Sequence, residues 1–230
     1  YKNFTQAVND LVQRGICSPV LFRVKAGSYN ENVNIPQIIG SSSTNTITFE
    51  SYNLDSNSVD LNYASGYSDN YVIGLFGADY ITFRKLKIRA TGTNYYGRAV
   101  YITGMSDYCT FSNNIITSMP AATSSDFSGI YSDGTKDNYT VIKNNKITGG
   151  YYGIYLSGQS SAREQNCVIS GNIITEFYNY GIYTYYLNAP VISSNYIESS
   201  PYASSNVYGI YCYYNYDTIK IIKNKVYLNG

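Results

Sequence analysis

The chain has 230 residues and a formal net charge of +1, and charged residues make up only 13% of it. This balance gives no electrostatic basis for binding nucleic acid or an anionic membrane surface. Histidine is absent, which removes the commonest general base and metal ligand, and no apolar run approaches the roughly 20 residues that cross a bilayer. The length suits a single domain over 1–230. With no signal peptide at Tyr1, we expect a mature segment of a larger protein.

Residues 3–15 predict a short N-terminal helix. Asn3 can cap its first turn, Gln6 can complete a capping box, and Gly15 can end it. One apolar face is formed by Phe4, Ala7, Val8, Leu11 and Val12. A helix of this kind can cover the open end of a stack of β-strands.

Short strands follow the helix. Residues 20–35 predict two strands joined by a turn, and residues 45–51 and 71–77 predict one strand each. The segment 52–70 between them is polar and rich in Gly, Ser and Asn, and we expect it to form a protruding loop.

A Gly-Ile-Tyr phrase recurs in the second half of the chain. It begins at Gly129, Gly153, Gly181 and Gly209, with intervals of 24, 28 and 28 residues, and Ala99 begins a looser copy. A second phrase places an Asn between two apolar residues, at Asn114, Asn145, Asn172, Asn195 and Asn224. Repeats of this length that contain short strands and no helix predict a β-solenoid, with regular coils over about 78–230.

The repeat assigns each position to a side of the coil wall. In a strand, Ile and Tyr of Gly-Ile-Tyr point to opposite sides. We expect an inner column of Val100, Ile130, Ile154, Ile182 and Ile210. We expect an outer column of Tyr101, Tyr131, Tyr155, Tyr183 and Tyr211, with Tyr185 and Tyr213 widening one end. The repeated Asn residues would lie at the bends and form a structural ladder of side-chain amides.

The four cysteines form no CxxC pair and no metal-binding spacing. Cys109 and Cys167 lie at inward positions two coils apart, which exceeds the reach of a disulfide. We therefore expect Cys109, Cys167 and Cys212 to be reduced core residues, and no metal site is predicted.

The sequence resembles the right-handed parallel β-helix proteins of the pectin-lyase-like superfamily. The resemblance rests on the N-terminal helix, on residues 20–31, which contain Gly27-x-Tyr29-x-Glu31, and on the later Asn repeats. That Gly-x-Tyr-x-Glu run is similar to the first motif of pectin methylesterases. The segment 126–129, Asp-Phe-Ser-Gly, resembles the family's nucleophile motif but is one residue short and lacks its second Phe, and the other esterase motifs are absent. The resemblance therefore implies the fold and not the esterase activity.

Catalysis within this superfamily uses carboxylates and Lys or Arg bases. The carboxylate candidates are Asp107, Asp126, Asp133, Asp137 and Glu164, and the basic candidates are Arg98, Lys136 and Arg163. Asp133, Arg98 and Asp126 are the catalytic candidates retained, because they lie next to the Tyr-bearing strands. No pair of acids recurs in neighbouring coils, so the enzyme interpretation is not favoured. If the chain is an enzyme, we expect a polysaccharide lyase or a glycoside hydrolase.

The outer tyrosines favour a polysaccharide or cell-surface glycan as partner, since a phenol offers both an apolar ring and a hydroxyl. Stacked rings that only support the strands are the competing interpretation. We therefore expect an extracellular or surface module, secreted or on the surface of a bacterial cell, that binds glycans or serves as an adhesive scaffold. A polysaccharide-degrading, lyase-like enzyme and a passive spacer remain as alternatives. No cofactor is expected, except calcium under the lyase alternative.

Overall fold

The computed structural model describes residues 1–92 and 95–229. They form one helix, α1 (Phe4–Arg14), and 25 strands numbered in chain order, most of them in three parallel sheets. Sheet A contains β1 (Val20–Val24), β4 (Ile47–Ser51), β7 (Ile81–Arg84), β10 (Thr110–Ser112), β13 (Val141–Lys143), β17 (Val168–Ser170), β21 (Val191–Ser193) and β24 (Lys220–Ile222).

Sheet B contains β2 (Gly27–Asn30), β5 (Val59–Tyr63), β8 (Lys87–Ala90), β11 (Ile115–Thr117), β14 (Lys146–Thr148), β18 (Ile173–Phe177), β22 (Tyr196–Ser199) and β25 (Lys225–Tyr227). Sheet C contains β3 (Val33–Pro36), β6 (Ile73–Phe76), β9 (Gly97–Thr103), β12 (Phe127–Ser132), β15 (Tyr152–Ser157), β19 (Tyr180–Tyr185) and β23 (Tyr208–Tyr213). Two short strands, β16 (Glu164–Gln165) and β20 (Leu187–Asn188), pair with each other.

Successive strands enter sheets A, B and C in turn, so that seven coils contribute a strand to all three sheets. The predicted all-β parallel solenoid with an N-terminal helix is therefore confirmed. Register is kept from coil to coil, as where Ile154 lies between Ile130 and Ile182. All three of these side chains are fully buried.

Aromatic rings fill the first coils of the interior. Phe22, Phe49, Phe83 and Phe111 stack along sheet A with centroid distances of 4.7, 5.1 and 5.8 Å. Ile142 continues the same column in the next coil. Matching side chains thus pack on one another along the axis, which explains why the repeat conserves their size and shape within the chain.

The helix α1 begins and ends where the sequence predicts. Asn3 Oδ1 accepts a hydrogen bond from the Gln6 backbone N–H at 2.9 Å, and Gly15 follows the helix with φ 64°. Val12 does not belong to the apolar face, because it is 43% exposed. Val12 lies at the edge of the apolar face and points away from the coils.

Glu31 of the Gly-x-Tyr-x-Glu run contacts the start of this helix. Its carboxylate accepts hydrogen bonds from the backbone N–H groups of Phe4 and Thr5, at 3.1 and 2.9 Å. An anion is favourable at this position because the first N–H groups of a helix have no partner within the helix. The run therefore ties α1 to the first coils.

The segment 52–70 differs from the prediction of a protruding loop. Its central residues form β5, and Val59 and Leu61 are fully buried. The stacking therefore starts at β1, well before residue 78. Val59, Leu61 and Tyr63 alternate with polar residues as a strand does, but this short alternation lies within a segment whose Gly, Ser and Asn content indicates a loop.

The repeated asparagines form a continuous hydrogen-bonded row at the bend between sheets A and B. From Asn145 onward, each Oδ1 atom accepts from the backbone N–H and the Nδ2 of the Asn before it, as Asn172 does from Asn145 at 2.9 and 3.0 Å. The Oδ1 atom of Asn114, the first in the row, accepts from the Leu86 N–H at 3.0 Å. The row runs through Asn114, Asn145, Asn172, Asn195 and Asn224. It compensates for the strand hydrogen bonds that are lost at the bend.

The four cysteines are free thiols. Cys109 and Cys167 are buried, and Cys109 Sγ donates to the carbonyl oxygen of Ala78 at 3.0 Å. Cys212 is half-buried and Cys17 is exposed.

Candidate functional site

The outward surface of β15, β19 and β23 is almost entirely tyrosine. Three positions of each strand lie on the outer side of the wall, and the nine contain eight partly or well exposed tyrosines and one serine, Ser157, which is buried. They are Tyr152, Tyr155, Ser157, Tyr180, Tyr183, Tyr185, Tyr208, Tyr211 and Tyr213. We call this set the tyrosine face.

Five of the predicted ligand-binding tyrosines belong to this face, and Tyr152, Tyr180 and Tyr208 were missed. A period of two counted back from Tyr155 places Tyr152 on the inside. In the structure both Gly153 and Ile154 are buried, so Tyr152 and Tyr155 are both outward. A tyrosine directly precedes the repeat glycine in each of these three strands. This repetition could have identified Tyr152, Tyr180 and Tyr208 as a column.

The rings of the face stack along the solenoid axis. Tyr131, Tyr155, Tyr183 and Tyr211 follow one another with centroid distances of 4.6, 4.9 and 5.2 Å and interplanar angles of 9°, 15° and 24°. Tyr152, Tyr180 and Tyr208 form a parallel stack with distances of 5.3 and 5.2 Å. Tyr185 and Tyr213 form a third stack at 5.5 Å.

Neighbouring stacks contact each other edge to face. The Tyr180 ring meets the Tyr183 ring at 90° with a centroid distance of 5.0 Å, and Tyr208 meets Tyr211 at 65° and 5.1 Å. Both arrangements are favourable for aromatic pairs. The ring faces within each stack therefore contact one another.

The retained catalytic candidates lie together at the upstream border of this face. Arg98 donates to Asp126 Oδ1 at 2.9 Å, and its guanidinium carbon lies 3.9 Å from the centroid of the Tyr131 ring. Asp133 Oδ2 accepts from the hydroxyl groups of Tyr101 and Thr103, at 2.6 and 2.8 Å. Burial and the contact with Asp133 raise the pKa of Tyr101 to about 12. Tyr101 itself is tilted by 44° from Tyr131 and stacks on Tyr71 instead.

Two of the other acidic candidates are buried away from the tyrosine face. Ser132 Oγ lies 3.0 Å from Asp137 Oδ2 and 2.6 Å from Glu164 Oε1, and neither carboxyl group is exposed. Burial raises the pKa of Asp137 to about 6 and holds the pKa of Glu164 well above its usual range.

Asp107 has a structural role in a second row of hydrogen bonds. Its Oδ1 atom accepts from the backbone N–H of Asn138 at 2.7 Å, and its own N–H donates to Asp79 at 2.8 Å. Of the basic candidates, Lys136 is an exposed turn residue, and Arg163 lies 3.6 Å over the Tyr216 ring.

Among the described residues, the acidic side chains beside the face do not form a cluster of metal ligands. Within residues 1–92 and 95–229, no three Asp, Glu, Cys or His side chains converge as metal ligands. Calcium requires six to eight oxygen ligands, and one oxygen of Asp133 is already taken by two hydroxyl donors. A cavity of about 390 Å³ lies elsewhere, beside α1, β1 and β2, and is lined by Phe22, Tyr29 and Phe49 among others.

Comparison with known proteins gives a family and a fold. A family model described as a right handed beta helix region matches residues 71–230. No curated protein sequence is significantly similar to the chain. In the described part of the chain, no helix has the length and hydropathy needed to cross a membrane.

Three solved structures are similar over most of the chain. A substituted pectin methylesterase in complex with a hexasaccharide is 15% identical, with a TM-score of 0.54 over 86% of this chain and 66% of that one. The rice weevil pectin methylesterase is 14% identical, with a TM-score of 0.54 over 86% of this chain and 67% of that one. The Aspergillus niger pectin methylesterase is 12% identical, with a TM-score of 0.49 over 94% and 81%. The chain thus spans about two thirds of the length of the first two, and the likeness to those two structures shows a shared fold.

Proposed function

Because the chain belongs to the right-handed β-helix family, we propose that it is an extracellular or surface-exposed module that binds glycans through its tyrosine face. The observation that carries this proposal is the set of eight outward tyrosines on three adjacent strands. None of them is needed to fill the interior, which Ile and Phe already pack.

The chemistry of the face suits a carbohydrate. Tyrosine is enriched in binding sites because one ring supplies contact area and one hydroxyl supplies a hydrogen bond, with few torsions to immobilise. Two of the eight, Tyr208 and Tyr213, are each 39% exposed, and the others are partly exposed. One structural neighbour was solved with a hexasaccharide, which supports a sugar ligand on this fold.

The test is a glycan array probed with the parent chain and with a variant that carries Tyr155→Ser, Tyr183→Ser and Tyr211→Ser. We expect the parent to bind and the variant to lose that binding while its circular dichroism spectrum is retained. The matched control carries Tyr80→Ser, Tyr108→Ser and Tyr139→Ser, a stack of three rings outside the tyrosine face with distances of 4.7 and 4.4 Å.

The control removes as many stacked rings and should leave glycan binding unchanged. A parent that binds no glycan, together with a face variant that melts far below the control variant, would favour the interpretation that the rings only support the strands. The chain would then be a spacer.

A polysaccharide-degrading enzyme is the second candidate, favoured by the clustering of Arg98, Asp126 and Asp133 beside the face. A lyase would need a free base, whereas Arg98 is held by Asp126 and by the Tyr131 ring. Incubation with a panel of uronate polymers, followed by absorbance of unsaturated products, separates a lyase from a binding module. Product formation that disappears in Arg98→Ala would establish the enzyme.

A further inference from the structure

We infer that the glycan bound by the tyrosine face is a neutral polysaccharide and that tyrosine hydroxyl groups recognise it, without sugar rings stacking on the aromatic rings. This inference rests on the proposed function and names the ligand class and the contacts at the same site. Three observations carry it: the absence of charge on the face, the arrangement of the rings, and the free hydroxyl groups.

The face carries no ionised side chain. Its nine outward positions are tyrosine or serine, and burial raises the pKa of Tyr152 and Tyr183 further above the neutral range. The charged groups beside the face are Arg98, Asp126 and Asp133 at its upstream border and Arg163 in the loop that follows Ser157. Arg98 and Asp126 form an ion pair, and Arg163 lies over the Tyr216 ring, outside the nine positions of the face. An anionic sugar that lies on the nine positions of the face would lose hydration without gaining a cation from them.

The ring faces in the middle of the stacks are not available to a sugar. The Tyr183 ring lies between the rings of Tyr155 and Tyr211, at centroid distances of 4.9 and 5.2 Å, and both are nearly parallel to it. Its edge meets the ring of Tyr180. A sugar that stacked on Tyr183 would have to separate rings that already contact each other, which would cost the stacking energy of each pair.

The hydroxyl groups are the part of each ring left for a ligand. In the described part of the chain, tyrosine hydroxyls beside the face form hydrogen bonds at Tyr101 and Tyr151, whereas those of Tyr155, Tyr183 and Tyr211 form none within the protein. A phenol hydroxyl both donates and accepts a hydrogen bond, as the hydroxyls of a neutral sugar do.

The spacing of these hydroxyl groups follows the coils. In the column of Tyr131, Tyr155, Tyr183 and Tyr211, the centroids of adjacent rings are 4.6, 4.9 and 5.2 Å apart. These distances are close to the strand spacing of ~4.8 Å. A linear polysaccharide that lies along the solenoid axis would therefore meet a new set of hydroxyl groups at every coil. Many weak contacts on one chain add up to useful affinity.

The experiment is titration calorimetry of the parent chain with neutral hexasaccharides of glucose, xylose and mannose and with hexagalacturonate. It is repeated with a variant that carries Tyr155→Phe, Tyr183→Phe and Tyr211→Phe, which keeps the rings and removes only the hydroxyls. The matched control carries Tyr80→Phe, Tyr108→Phe and Tyr139→Phe.

We expect a neutral hexasaccharide to bind with an affinity that added salt does not change. Three lost hydrogen bonds should weaken that binding by about tenfold or more in the Phe variant of the face, as in the corresponding Ser variant. The control should bind as the parent does.

Other outcomes overturn the inference in distinguishable ways. If the Phe variant binds as the parent does while the Ser variant does not, the rings recognise the sugar and the hydroxyls do not. Binding confined to hexagalacturonate and weakened by salt would show an acidic ligand. Both of these leave the proposed function standing, whereas no binding to any hexasaccharide or to the glycan array overturns the proposed function as well.

Discussion

Gly153 lies so close to Ile174 of the following coil that no side chain fits between them. A Cβ atom on Gly153 would be 2.4 Å from Ile174 Cγ2 and 2.6 Å from the carbonyl oxygen of Gly181. The same relationship joins Gly129 to Ile147 and Gly181 to Ile197. The repeat therefore begins with glycine because this inward position touches the core side chain of sheet B.

Gly153→Ala should destabilise the fold by about 1–3 kcal/mol, the usual cost of overpacking a core. Urea denaturation followed by circular dichroism measures the change. Ser205→Ala, at an exposed loop position, is the control for a substitution to alanine. Equal midpoints for the two variants would contradict the close contact.

Asn172→Ala should cost about 1–3 kcal/mol, because buried hydrogen-bonding groups lose their partners. Asn172 Nδ2 donates to the carbonyl oxygen of Ile142 at 2.9 Å and to Asn195 Oδ1 at 3.0 Å. The matched control is Asn206→Ala, since Asn206 is an exposed loop residue.

Both asparagine variants should bind glycans as the parent does. A loss of binding in Asn172→Ala without a loss of stability would show that the row of asparagines is functional and not structural.

The sequence predicts the solenoid well because its inner positions repeat the same few residue types. Ile154 and Ile182 occupy one column, and each Asn of the ladder repeats a fixed environment, so the register follows from the spacing. The face was predicted less completely. Tyr152 was missed because the buried Gly153 and Ile154 both separate it from Tyr155, and this breaks the alternation of a regular strand.

Contacts between residues that are far apart in the sequence could not be predicted from it. Nothing in the local pattern shows that Glu31 accepts from the N–H groups of α1, or that Arg98 lies on the Tyr131 ring. The orientation of the rings is also set by neighbours in other coils. A tyrosine column predicted from spacing alone could present either ring faces or ring edges to solvent.

The stability of the fold should fall as the pH rises above about 4, because of Asp137 and Glu164. An unfolded chain releases these protons near pH 4, whereas burial raises the pKa of Asp137 to about 6 and that of Glu164 well above its usual range. The folded state then binds more protons than the unfolded state, and the free energy of unfolding decreases with pH. The stabilisation is complete below the unfolded pKa values and is lost as the pH rises through the folded ones.

Glu164→Gln should flatten this dependence, since the amide is neutral at every pH and its oxygen can still accept a hydrogen bond from Ser132. Melting temperatures measured from about pH 5 to about pH 8 should fall less in this variant than in the parent. Glu176→Gln changes a half-buried residue of β18 and is the control. Its melting temperature should depend on pH as that of the parent does. Parallel curves for all three proteins would mean that Glu164 is ionised in the folded state.

The thiols should differ in their reactivity. Cys17 is exposed and should react quickly with a thiol reagent in the native protein. Cys109 and Cys167 are buried, burial raises the pKa of both thiols, and they should react only on unfolding. In denaturant without a reducing agent, all four cysteines should react with the thiol reagent. A mass that shows a disulfide between Cys109 and Cys167 would contradict the coil register.

The coil-to-coil register also bears on how such a chain can change its length during evolution. Residues 146–148 of β14 lie directly against residues 173–175 of β18, and Asn145 contacts Asn172 as Asn172 contacts Asn195. Recombination between two such equivalent points removes or duplicates one whole coil and rejoins surfaces that already match. The tyrosine face would lengthen or shorten by one strand at each event, so its length can vary in the gene without any change to its chemistry.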